Sequence, residues 1–165
     1  LIADTFTLFA ERAMEEVIDP FSEQAFNALE QFDAQALKDP ASRDQLIQML
    51  TEMTVAFVTS EVMEQRDHLI AEQAFLHEAV LDDRLRDLAQ VYQDKQVQVL
   101  RQACEKLHTP APEYDAELVI SAFYFIESKL LAQPDSLDQD ELRGKVKHML
   151  ELLVGRDEET GAGDE

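Results

Sequence analysis

Residues 117–131 read ELVISAFYFIESKLL, and between Glu117 and Glu127 nine residues in a row carry no charge. Wound as a helix, they put apolar side chains on more than one face. Leu118, Ala122 and Phe125 describe one line, which Lys129 ends. Val119, Phe123, Ile126 and Leu130 describe another, and Ile120, Tyr124 and Leu131 nearly close the circle. A helix that is apolar all round is buried all round. In a chain of 165 residues that means either the centre of one core or the wall between two copies.

The next apolar segment suggests the second answer. After the turn QPDSLDQ, Leu142, Val146, Met149, Leu150 and Leu153 form a stripe with charged residues opposite. Two antiparallel helices joined by a short turn make a hairpin. Two such hairpins about a twofold axis bury each other's stripes as a four-helix bundle. The expected homodimer interface is therefore Leu118, Ala122, Phe125, Leu142, Val146, Met149, Leu150 and Leu153. A monomeric core that absorbs both faces is the alternative.

The rest of the chain is punctuated as a helical protein. Gly144 is the only glycine before Gly155, too few for the turns of a strand-rich domain. Pro20, Pro40, Pro110, Pro112 and Pro134 fall where helices should begin or end. Residues 2–18 place Ile2, Phe6, Phe9, Ala13 and Val17 on one face, without a convincing N-cap. Ser22 is the expected cap of a short second helix holding Phe26, Leu29 and Phe32. Ser42, with Gln45 at capping-box spacing, opens a third that is apolar on several sides and so central. Asp67 and Asp82 are the expected internal caps of the Pro- and Gly-free stretch 41–109, dividing it near 43–65, 68–81 and 83–107. Helices over about 113–132 and up to Gly155 complete an all-α fold of about seven helices. Residues 1–155 form one domain in this reading, and 156–165 a disordered acidic tail.

Composition narrows the function. A net charge of −21 repels DNA, RNA and anionic membranes, and the small cluster Arg143, Lys145, Lys147 reads as a solvated helix face. The nine-residue uncharged run is well short of a membrane span of about 20 residues. No signal-peptide pattern is visible, and the single cysteine, Cys104, suits a reducing cytoplasm. A cytoplasmic protein without membrane partners is the expectation.

The run FLHEAVLDDRLRDL (75–88) resembles the middle of the regulatory domain of tetracycline-repressor-like (TetR-family) transcription regulators. There a helix ending in an E-A-type sequence gives way at an acidic residue to a long helix opening L-R-x-L; here the positions are Glu78, Ala79, Asp82, Leu85, Arg86 and Leu88. The very apolar helix, the P-D-S-L-D turn and a closing helix ending HMLELLVG are similar to that family too, as is LIADTFTLFAERAMEEV to its connecting helix. The resemblance covers about the whole chain up to Gly155. It implies a dimeric DNA-binding regulator, most often a repressor, whose basic helix-turn-helix head is absent from this sequence. A small apolar or amphipathic effector would enter the helical domain, shift the connecting helix and change operator binding by that head.

A pocket in such a bundle is apolar with a few polar anchors. Met49, Met53 and Phe57 share a helix face, and Phe75, Tyr92 and Phe123 are candidates for an aromatic wall. Glu61 and His68, on either side of the junction near Asp67, are the candidate polar anchors. For each of these residues plain core packing or solvent exposure is the competing reading. Glu105-x-x-His108 has di-iron spacing but lacks its second pair, and His68 with Glu72 lacks a third ligand. Cys104 has no obvious activating base, and no phosphate loop or nucleophile elbow occurs. No metal, cofactor or catalytic residue is therefore expected, and an enzyme is not the reading. The runner-up is a helical protein–protein interaction module without a ligand pocket.

Overall fold

The computed structural model describes the backbone of residues 2–155 and the side chains of residues 4–155. The side chain of Ile2 and the tail over 156–165 lie outside the described residues. Among the described residues the fold is all-α, without a strand. Its helices are α1 (Ile2–Ala13), α2 (Asp19–Leu29), α3 (Pro40–Met63), α4 (Arg66–Leu81), α5 (Asp83–Lys106), α6 (Pro112–Ala132) and α7 (Gln139–Val154).

The boundary expected at Pro20 does not exist. A π turn, Met14–Ile18, joins α1 to α2, and the residues flanking it keep right-handed helical dihedrals. The Asp19 amide donates to the Met14 carbonyl, five residues back. Pro20 has no N–H to give, and its ring would strike the carbonyl four residues earlier in a regular helix. The wider π turn just ahead of it relieves that clash. α1 and α2 are thus one rod, and among the described residues the count is six rods rather than seven. Ser22 caps nothing: its hydroxyl donates to the Asp19 carbonyl at 2.9 Å.

Other caps follow the chemistry of the side chain more than the expected position. At α3 the cap is Asp39, whose carboxylate accepts from the Ser42 amide at 3.0 Å and the Ser42 hydroxyl at 2.8 Å, with Pro40 at the first helical position. Ser42 is therefore three residues inside. α4 starts at Arg66 without a side-chain cap, and Asp67 sits in its first turn, where a negative charge favours the helix dipole. Asp82 does cap α5, accepting from the Arg84 amide at 2.9 Å. α5 ends with His108 at φ 53°. The Thr109 amide reaches the Cys104 carbonyl and the His108 amide the Glu105 carbonyl, a Schellman turn.

Two cores result. Leu46, Ile47, Leu50, Val55, Val58 and Val62 of α3 pack with Leu130 and Leu131 of α6 and Leu142, Val146 and Leu150 of α7. Ala10 and Ala13 of α1 pack with Phe75 and Ala79 of α4 and Leu85, Ala89 and Tyr92 of α5. α3 is the central helix, with buried residues on several sides. Its most apolar window, mean hydropathy 1.2, meets the length and composition of a membrane span, which the nine-residue count had missed.

The α6–α7 hairpin is the clearest departure. α6 packs mainly on α5, and α7 on α3. Leu142, Val146 and Leu150 turn inward to cover α3 and are 4%, 1% and 8% exposed, so they belong to the chain's own core rather than to a dimer surface. The reason is α3 itself: apolar on several sides, it needs α7 as a cover. Met149 and Leu153 are half-buried beside them. Between α6 and α7 lies a groove of about 370 Å³, with Ala122, Phe125 and Ile126 on one wall and Val146 and Met149 on the other. α6 is not buried all round: Tyr114, Leu118 and Phe125 are 71%, 67% and 70% exposed in the single chain.

Candidate functional site

Where the two cores meet, four helices each present an i, i+4 pair to one cavity of about 100 Å³. α3 gives Phe57 and Glu61, α4 His68 and Glu72, α5 Tyr92 and Gln96, and α6 Phe123 and Glu127. Val17 and Ile18 of the π turn and Phe21 of α2 close one side, with Ile120 and Tyr124 of α6 on another. Glu61, Glu72 and Glu127 are 4%, 5% and 7% exposed. Buried carboxyls are rare, and no lysine or arginine lines this cavity.

A hydrogen-bonded chain crosses the site. The Tyr124 hydroxyl donates to Gln96 Oε1, and Gln96 Nε2 donates to Glu72 Oε1 at 3.0 Å. The Tyr92 hydroxyl donates to the same Glu72 oxygen at 2.8 Å. Tyr92 is fixed from behind by Phe75, edge-on at 5.8 Å, and Phe9 lies 5.0 Å from the His68 ring. Phe21 and Phe57 face each other at 4.2 Å. Other polar atoms of the site are left over: Glu61 Oε1 and both His68 ring nitrogens are buried without a hydrogen-bond partner. Such an orphan costs about 1–3 kcal/mol and calls for an explanation.

The electrostatics follow from burial. Loss of water raises Glu127 to about 9, with the nearby Glu72 and Glu61 adding to the effect. Glu61 rises to about 7, from burial and then from Glu72. Burial, and then Glu72, also push the Tyr92 and Tyr124 hydroxyls upward. At neutral pH Glu127 keeps its proton and Glu61 is poised between forms.

Of the residues singled out in the sequence, Phe57, Glu61, His68, Tyr92 and Phe123 come together at this cavity. Phe75 does not line it; fully buried in the second core, it supports Tyr92. Met49 packs against the first core, and Met53 is half-buried on α3 away from the cavity lining. Sequence reasoning missed Glu127, Tyr124, Gln96 and Phe21, and set Glu72 aside as half of a metal pair. A usable signal was present: an acid four residues after an aromatic inside an apolar helix, as in Phe57–Glu61 and Phe123–Glu127.

Other candidate chemistry is absorbed by structure. Glu105 pairs with Arg101 at 3.0 Å, and His108 forms the turn that ends α5. Burial raises the Cys104 thiol to about 11, so it stays protonated at neutral pH. Among the described residues, no three His, Cys, Asp or Glu side chains are placed to hold a metal ion. No protein-family model matches the chain, and no curated protein matches it significantly.

Proposed function

We propose that this chain is the ligand-binding and dimerisation domain of a TetR-like transcriptional regulator, acting as a repressor. A small amphipathic effector occupies the cavity and alters DNA binding by the helix-turn-helix head that the resemblance implies. One observation carries the reading: Val17, Ile18 and Phe21, at the π turn in the middle of the first helical rod, form part of the cavity wall. An occupant therefore presses on the element that, in the family the sequence resembles, leads to the head. The π turn sits at that contact, where the rod already departs from regular geometry. Effector and operator would then be coupled through one movable rod, each weakening the other.

The apolar line Tyr114, Leu118, Phe125 beside the α6–α7 groove supports the dimerising half of the reading. A second copy covers these side chains better than solvent does. The same exposed face favours the second reading, an interaction module for a different protein.

The test is a thermal-shift screen of amphipathic small molecules against the chain and against Ile120→Trp, which fills the cavity. The reading expects compounds that raise the Tm of the chain and have no effect on the variant. If no compound binds, or if binders act equally on both, the effector site is not this cavity.

A further inference from the structure

The cavity's chemistry is selective about charge. Three buried carboxyls, from Glu61, Glu72 and Glu127, share its wall with the rings of Phe21, Phe57, Tyr92, Phe123 and Tyr124. Glu72 already has donors in Tyr92 and Gln96. Glu61 Oε1 has none, although the residue is only 4% exposed and lines the cavity. A neutral apolar ligand would leave that oxygen as it is. An anion would enter a poorly solvated, acidic wall with no lysine or arginine to balance its charge. A bare divalent ion is a poor fit, because it needs several ligands converging on one point and no such group is present among the described residues.

We propose that the effector is an organic cation: a protonated amine on an apolar body, its ammonium donating to Glu61 and its hydrocarbon lying against the aromatic rings. This deepens the effector-binding reading above and rests on it. The ammonium supplies the donor that Glu61 Oε1 lacks, and a positive charge for a cavity wall that carries carboxyls but no lysine or arginine. Aromatic faces add cation–π attraction in the same space. The hydrocarbon has somewhere to go. A second cavity of about 100 Å³, lined by Phe26, Leu50 and Leu107 among others, shares Phe21, Val99, Leu100 and Phe123 with the first. Phe21 and Phe123 stand on the wall common to both, so a ligand with its head in the first cavity directs its tail toward the second. The chain's net charge of −21 works in the same direction, drawing cations toward the surface and repelling anions.

Three probes of similar shape separate the possibilities: 4-phenylbutylamine, 4-phenylbutan-1-ol and 4-phenylbutyrate, titrated calorimetrically into the full chain at fixed pH and salt. The amine is expected to bind at least about 10-fold more tightly than the alcohol, the scale of one charge-assisted hydrogen bond, and the butyrate not at all. Glu61→Gln is expected to lose about 10-fold for the amine and nothing for the alcohol. Glu127→Gln, a second isosteric change, should weaken the amine less, with circular dichroism confirming that both variants fold. Equal binding of amine and alcohol, or preferential binding of the butyrate, would overturn the cation assignment while leaving an effector cavity in place. If the three probes all fail and the thermal-shift screen still finds a neutral or anionic ligand blocked by Ile120→Trp, only the cation assignment falls. If that screen finds nothing either, both fall.

Discussion

Glu127→Gln should stabilise this protein at neutral pH and leave it unchanged in acid. Glu127 sits on α6 at 7% exposure, and burial raises its carboxyl from 4.5 to about 9. The folded state therefore holds the proton more tightly than the unfolded state. Below about 4.5 both states are protonated and the group costs nothing. As pH rises past 4.5 the unfolded chain ionises while the folded one does not, and stability falls until about pH 9. At about 1.4 kcal/mol per pH unit, the span from 4.5 to pH 7 amounts to about 3 kcal/mol. Glutamine keeps the shape and removes the ionisation, so the variant should gain up to that amount at pH 7 and almost nothing at pH 4. Urea unfolding followed by far-ultraviolet circular dichroism, at one protein concentration and with unchanged m-values, reads the difference. The facing titratable groups, Glu61, Glu72, His68, Tyr92 and Tyr124, are the same in both proteins, so the comparison isolates Glu127. Equal stability of the two proteins at pH 7, or a less stable variant, would mean that Glu127 is ionised and paired in the native state. The electrostatic account of the cavity would then be wrong.

Tyr92→Phe keeps the edge contact with Phe75 but removes a donor from buried Glu72; a loss of about 1–3 kcal/mol in denaturant unfolding is expected. Phe75→Ala empties a fully buried site in the second core and should cost about 3–5 kcal/mol by the same assay. Gly144→Ala, in mid-α7 with nothing within 4 Å of the added Cβ, should raise stability by about 0.5–1 kcal/mol.

The helical class was legible because glycine is scarce and the apolar periodicities agree over long spans. Cap positions were less so. Asp39 and Ser42 both suit a helix start, and only Pro40, whose fixed φ favours the first helical position, decides between them. Pro20 read as a boundary because sequence rules assume an α-helix; a π turn carries the rod through it. α7's stripe looked like a surface for a twin because nothing in it says which neighbour it meets. The central α3 claims most of it. In the site, Glu127 was read as the charged end of an apolar run, since a buried acid violates the ordinary rule for carboxyls. The partners that make sense of it, Glu61 and Glu72, come from helices up to 66 residues away in the chain. Periodicity assigns a face to a residue but does not bring distant faces together.

Sedimentation equilibrium of the chain beside Phe125→Glu tests the regulatory-domain account most directly. Phe125 is 70% exposed at the rim of the α6–α7 groove, so the charge should not disturb the fold. The account predicts a wild-type mass of twice 18.8 kDa and a folded variant of 18.8 kDa. A wild-type chain that sediments at 18.8 kDa across the micromolar range would contradict it.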